Sequence, residues 1–326
     1  MKKIVIMTLF FFSCQMNYCQ IIKGVVFDSS TNKEISSVSI YFSGTYVGTT
    51  SDKEGNFELN ISKNKNMPLT ISAVGYYSVT LEPISEDKTI KVMLKPKIYK
   101  VKDVNIKAKS FVKKRKMYLK FFKEEFLGTD YETMKCFIVN ENDITFNYDS
   151  DKDTLKAFAR NPIRITNKSL GYKITYFLDK FEYRWKGLNT AFEGNLIFQD
   201  VADSNHSELF DKLRYSVYQG SRMHFFRTLW ANNLSSTQFN IKNENRQPLN
   251  VSEVVKQVDG DKYLSYPKVI IVNYNKKISQ LVFLEKLVYF DKSGYFDGSG
   301  INWRGEMGIQ RIADTLPNEY VTLETN

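Results

Sequence analysis

The sequence predicts a mainly β protein: a small N-terminal β-sandwich followed by a β-rich α+β domain. Three observations predict it. Apolar and polar residues alternate with period two in short runs between Gln20 and Lys95. Aromatic residues are abundant, with 24 Phe and 20 Tyr among 326 residues, and they fit the half-buried face of a pleated strand. Helical periodicity is confined to residues 111–127 and the neighbourhood of 209–230. With 42% hydrophobic and 25% charged residues the chain has a globular composition, which excludes wholesale disorder.

Residues 1–19 read as a secretory signal peptide. Lys2 and Lys3 supply the positive start, and Ile4 to Phe12 supply an apolar run too short to span a bilayer. Cleavage near Cys19 and Gln20 starts the mature chain at the first strand. The rival reading is a lipoprotein acylated at Cys14, although the Leu and small residues usual before such a cysteine are missing. Both routes export the chain, to the periplasm or the outer membrane. Cys136 is then the lone cysteine of the mature protein, so neither a disulfide framework nor a thiolate metal cluster is expected. It reads as a small buried hydrophobe on a strand. The formal charge of +10 suits an anionic partner but says nothing of fold.

Residues 20–95 form the predicted sandwich. Val38, Ile40 and Phe42 alternate with Ser39, Tyr41 and Ser43; Phe57, Leu59 and Ile61 with Glu58, Asn60 and Ser62; Ile90, Val92 and Leu94 with Lys91 and Met93. Each strand is expected to bury one face. In Asp52-Lys53-Glu54-Gly55-Asn56-Phe57 the aspartate can accept from backbone amides ahead of it, and Gly55 tolerates positive φ. Gly24-Val25-Val26-Phe27-Asp28, Val38-Ser39-Ile40, Gly48-Thr49-Thr50-Ser51-Asp52 and Ile71-Ser72-Ala73-Val74-Gly75-Tyr76 together resemble the carboxypeptidase-regulatory-like domain, which implies a transthyretin-like β-sandwich. Glu34-Ile35 stands where that family usually places a proline.

Residues 96–127 form a basic linker and helix. Val101, Val104 and Ile106 within the lysine-rich run resemble the joining strand that follows this domain in TonB-dependent receptors, whose large barrel this chain is too short to add. From Phe111 a helix is expected, with Leu119, Phe122 and Phe126 on one face. Its basic face, with Lys113, Lys114, Arg115 and Lys116, is either simply solvated or a contact for an anionic membrane surface. Nucleic acid is not an expected partner of an exported protein.

Residues 128–326 form the β-rich α+β domain. Strands are expected at 135–140, 144–148, 154–159, 172–185, 192–199, 268–274 and 282–291. Leu209, Phe210, Leu213 and Val217 share a helical face, Gly220 breaks that helix, and Ser221 can cap a second one carrying Met223, Phe226 and Trp230. Phe126-Leu127-Gly128, Leu170-Gly171-Tyr172-Lys173-Ile174, Gly220-Ser221-Arg222-Met223-His224-Phe225-Phe226-Arg227 and Ala313-Asp314-Thr315-Leu316-Pro317 resemble a group of exported Bacteroidota proteins with the same two-part build, a likeness that brings no settled activity.

No catalytic set stands out. A zinc carboxypeptidase needs a His-x-x-Glu pair, and neither His206 nor His224 has Glu at the third following position. Gly-x-Ser-x-Gly and phosphate-loop motifs are missing. Asp149-Ser150-Asp151-Lys152-Asp153 lacks the central Gly and terminal Glu of a calcium loop and reads as a hairpin tip. A relay from Ser221 to His224 competes with a plain cap and a packed imidazole. Trp303 and Arg304, in a Gly-bounded loop, form a candidate recognition pair together with Ser221 and His224. The expectation is a non-catalytic, envelope-associated binding or scaffold protein without cofactor or metal, its partner an envelope protein or glycan. The alternatives are a hydrolase with its site in the C-terminal domain and an accessory protein docking to an outer-membrane transporter.

Overall fold

The computed structural model describes residues 20–84, 89–97, 108–187, 189–201 and 207–322. The predicted leader with Cys14, the predicted joining strand at 101–106, and His206 lie outside them.

Seven strands build the N-terminal sandwich: β1 (Ile21–Asp28), β2 (Ser39–Phe42), β3 (Gly48–Thr50), β4 (Asn56–Asn60), β5 (Leu69–Ser72), β6 (Val79–Leu81) and β7 (Ile90–Leu94). One sheet runs β4-β1-β7, with β1 antiparallel to β4 and parallel to β7; the other runs β3-β2-β5-β6. Ile22, Val26, Val38, Ile40, Phe57, Ile71, Val92 and Leu94 interdigitate between them. The Asp52 turn forms as its chemistry requires. Asp52 Oδ1 accepts from the amides of Glu54 at 3.0 Å and Asn56 at 2.7 Å, and Gly55 takes φ +76°. At the other end, hydrogen bonds from the Ser30 and Tyr76 hydroxyls hold the Asp28 carboxyl well below the usual carboxylate range.

The outer face of the β3-β2-β5-β6 sheet departs from the expected pattern. Tyr41, Thr70 and Ser72 are as buried as their apolar neighbours, at 0%, 1% and 1% exposure. A second body covers them, so a face written in polar residues is internal.

That second body begins with α1 (Ala108–Leu127) and continues through β8 (Cys136–Ile138), β9 (Ile144–Asp149), β10 (Thr154–Ala159), β11 (Ile163–Asn167), β12 (Tyr172–Arg184) and β13 (Asn189–Asp200). The thirteen-residue β12 is the spine of this sheet. β13 pairs along one edge of it, while β11 and then β10 share the other. Phe122, Phe126 and Leu127 of α1 are fully buried on the sheet, with Phe122 4.7 Å from Phe181 and Phe126 4.9 Å from Tyr176 between ring centroids. Cys136 is buried on β8, and that burial pushes its thiol up to about 12.

The sandwich seats on β12 and β13. Tyr41 stacks on Phe177 at 5.3 Å. A polar chain follows from Tyr41 Oη to Ser72 Oγ (3.2 Å), Ser72 to Ser78 (2.8 Å) and Ser78 to Asp179 (3.3 Å), with Lys97 Nζ closing it at 3.3 Å from the Asp179 carboxylate. The loop after β2 also pairs backbone to backbone: Gly44 N–H donates to Leu196 O at 2.9 Å, and Phe198 N–H to Thr45 O at 3.0 Å.

Two helices, α2 (Ser207–Tyr218) and α3 (Arg222–Trp230), lead into a third core. It is built by β14 (Phe239–Lys242), the short helix α4 (Val251–Val254), β15 (Val255–Val258), β16 (Asp261–Leu264), β17 (Val269–Tyr274), β18 (Lys277–Phe283), β19 (Val288–Phe290) and β20 (Ile301–Gly305). Its sheets run β14-β17-β18-β20 and β15-β16-β19. The single strand expected at 282–291 is therefore two strands in different sheets. The chain leaves β18 after Phe283, bonds Leu284 N–H to Gly300 O at 2.9 Å, and re-enters at Val288. After β20 the chain returns to the second body, where Ile312, Ala313, Leu316 and Tyr320 join the core beneath α1.

Removing the ring that joins sandwich and spine should be costly. Tyr41→Ala is expected to lower stability by about 3 kcal/mol in urea unfolding, as for other large-to-small changes in cores. Lys113→Ala, on the solvent side of α1, should stay within about 0.5 kcal/mol.

Candidate functional site

The return of the chain leaves a cleft of about 510 Å³ between the second body and the third core. Its walls are the end of α1 and the turn through Asp130, the end of α2, the β17–β18 hairpin, and residues 306–314. A volume of this size is typical of ligand pockets.

Arginines from opposite sides hold the walls. Arg311 donates from Nε to Glu125 O at 2.9 Å and from Nη1 to Gly308 O at 2.7 Å and Gln310 O at 3.1 Å. Arg222 donates from Nε to Met307 O at 2.8 Å, and its guanidinium lies 5.4 Å from the centre of the Trp303 ring. Burial lowers the basicity of both, that of Arg222 to about 10 with a further contribution from the Arg311 charge. The amide side chains are also fixed by one end. Gln310 Oε1 accepts from Arg222 N–H at 3.2 Å, and Gln219 Oε1 accepts from the Tyr274 hydroxyl.

Gly220 is at φ +73°, and a Cβ there would stand 2.6 Å from the Tyr274 ring, so only glycine brings α2 this close to β17.

Carboxylates dominate the charged lining. Glu124, Glu125, Asp130, Glu306 and Asp314 face Lys277 and Arg311. Glu125 accepts from the Thr190 hydroxyl, and Glu306 pairs with Lys277 at 3.5 Å. Burial, and after it the charge of Asp130, raises Asp314 from 3.8 to about 6.

Of the residues singled out from sequence, Ser221 and His224 are internal, at 6% and 8% exposure, and are not a contact surface. Ser221 Oγ caps α3 by accepting from His224 N–H at 3.1 Å, and His224 Nδ1 accepts from Gly220 N–H at 3.1 Å. The imidazole packs among Tyr218, Phe239 and Tyr274, so the plain cap and packed ring prevail over a relay. Trp303 and Arg304 do not form a pair in a loop. They are consecutive residues of β20, and strand alternation turns Trp303 towards Phe225, Phe226 and Phe296 while Arg304 is exposed. Arg115 is no surface contact either: its Nη2 donates to Glu141 O at 2.8 Å and Ile144 O at 3.2 Å, pinning α1 to the start of β9. Lys113, Lys114 and Lys116 are exposed. The 149–153 segment is a hairpin turn, in which Asp149 Oδ1 accepts from the amides of Asp151 and Lys152.

Sequence reasoning missed Arg222, Arg311 and Asp314. The available signal was charge set among apolar neighbours, as in Ile309-Gln310-Arg311-Ile312-Ala313-Asp314.

Residues 22–106 match the CarboxypepD_reg-like domain. The match ends before α1, so the cleft belongs to the part of the chain that follows the CarboxypepD_reg-like domain. A crystal structure of a Bacteroides fragilis NCTC 9343 protein of unknown function, described as membrane-associated, is 11% identical and covers 85% of this chain and 92% of its own. Its TM-score of 0.19 carries no argument about fold or role. No curated protein matches the chain.

The raised Asp314 has a definite consequence for stability. Between about pH 4 and 6 the folded state holds a proton there that the unfolded chain releases, so this group's contribution falls as pH rises through that window. Asp314→Asn should stabilise the protein by about 1–2 kcal/mol at pH 7.5, allowing for partial exposure, and by almost nothing at pH 4. Urea unfolding at the two pH values measures it.

Proposed function

We propose that the chain is a non-catalytic binding protein of the cell envelope. The CarboxypepD_reg-like sandwich acts as a fixed buttress, and the cleft beside Arg311 is the recognition site. The single observation that carries this reading is the cleft itself, a formed, polar recess whose walls are locked by arginine-to-carbonyl bonds. Preformed walls reduce the ordering cost of binding. The leader pattern of residues 1–19 supports export, and an envelope protein or glycan is the partner class. The histidine and serine once available for nucleophilic chemistry are both occupied in structural bonds.

Purified protein incubated with peptide, ester and glycoside substrates should leave them intact. Turnover that Asp314→Asn abolishes would overturn the reading in favour of a hydrolase, because a carboxyl titrating near 6 is what a general acid needs.

A second reading concerns α1. Lys113, Lys114 and Lys116 are exposed beside Val112 and Met117, at 65% and 54% exposure, which together suit an anionic membrane surface. Replacing the three lysines by glutamine should weaken binding to phosphatidylglycerol vesicles at least tenfold, on the scale of about 1 kcal/mol for each lysine near such a surface. Binding indifferent to both salt and the substitutions excludes this reading.

A further inference from the structure

We infer that the cleft takes a cationic peptide segment, with a lysine or arginine side chain against its carboxylates and the neighbouring backbone carbonyls against its glutamine amides. The inference rests on the binding reading above and specifies its ligand.

The charge balance comes first. The protein as a whole is strongly basic, at +10, yet the cleft inverts that sign. Asp130 and Asp314 form no ion pair among the described residues. The nearest hydrogen bond to the Asp314 carboxylate is a long one of 3.5 Å from Arg311 N–H. Arg311, the cation beside them, spends its Nε and Nη1 on carbonyl oxygens. Asp314, whose proton affinity is raised by burial and then by the neighbouring Asp130 charge, gains from an incoming cation.

The second observation is independent of charge. Gln219 and Gln310 each have their carbonyl oxygen fixed by a protein donor, and their Nε2 amides have no partner among the described residues. Both line the cleft and leave donors for a ligand's carbonyl groups. Ile309, lining the rim at 66% exposure, offers an apolar contact for the aliphatic part of the ligand. Among the described residues no three His, Cys, Asp or Glu side chains stand close enough to hold a metal ion.

Isothermal titration of the mature chain at pH 7.5 with acetyl-Leu-Lys-Leu-Lys-amide, its acetyl-lysine counterpart and its glutamate counterpart tests the assignment. The lysine peptide should bind at least tenfold more tightly than either, and Asp130→Asn with Asp314→Asn should remove that margin, as expected for losing a charge-assisted contact of about 1.5–3 kcal/mol. Affinity should also fall about fivefold or more from pH 7.5 to 5 as Asp314 takes up its proton. The groups facing Asp314 there are Asp130, Arg311 and the buried Cys136 thiol, the last neutral throughout. Because Asp314→Asn should stabilise the fold, its effect on binding cannot be assigned to unfolding. Equal binding of the three peptides, preference for the acidic one, or indifference to the double variant overturns the assignment. In parallel, Ile309→Cys carrying a photoreactive label reports any envelope ligand in the recess. Crosslinking there with no binding of the lysine peptide removes the cation assignment and leaves the binding reading, whereas failure of both removes both.

Discussion

The structure turns on a problem at the end of α1. A helix that stops leaves carbonyl groups without intrahelical partners, and the last turn of α1 carries no basic residue of its own to meet them. Arg311 arrives from the far end of the chain and donates to Glu125 O, supplying both a hydrogen bond and the positive charge favoured at a helix C-terminus. The same device recurs. Arg222 bonds Met307 O, Arg227 bonds Ser293 O and Asn318 O, and Arg214 bonds Leu170 O. Arg311 ties the returning C-terminal segment to α1, Arg227 ties α3 to the same segment at Asn318, Arg222 braces the third core, and Arg214 fastens α2 to the second body. The cleft is the space these staples leave open.

The sandwich is held by different means. Its second sheet is packed on both faces, one against its own partner sheet and one against β12 and β13. The side chains on the outward face are Tyr41, Thr70 and Ser72: Tyr41 bonds Ser72, Thr70 reaches Asn195, and Ser72 reaches Asp179 through Ser78 across the join. Buried polar groups of this kind are tolerated because they are hydrogen-bonded. They also fix the register of the docking, which an apolar face would leave free to slide.

Much of the fold was legible. Period-two alternation located β2, β4 and β7, and the turn chemistry expected of Asp52 and Gly55 was realised. The helix stripes through Phe122 and Phe226 both became core. What escaped were β11, β14 to β16 and β20: β11, β14 and β20 alternate only two apolar residues, as in Ile163 and Ile165, where β2, β4 and β7 lie in runs of three, and Val255-Lys256-Gln257-Val258 of β15 does not alternate at all. Tyr41 escaped for another reason: a polar aromatic opposite a core residue reads as solvent-facing unless the covering body is known. The cleft was illegible because its charged residues come from positions between 124 and 314 and acquire meaning only when the chain returns. Trp303 was misread on chemical type alone, since an indole suits a core as well as a binding platform.

The backbone bond from Asn318 N–H to Gly44 O, at 2.8 Å, and the bond from Tyr46 N–H to Glu319 spanning 273 positions, join the first domain to the last residues described. Contacts so distant along the sequence make folding slow, because a large loop must close before they contribute. The loop after β2 is therefore gripped twice, by Leu196 and Phe198 of β13 and by the segment at 318–319. A chain that has not yet delivered residues 318 and 319 holds the sandwich by the first grip alone, and the second closes over it like a latch.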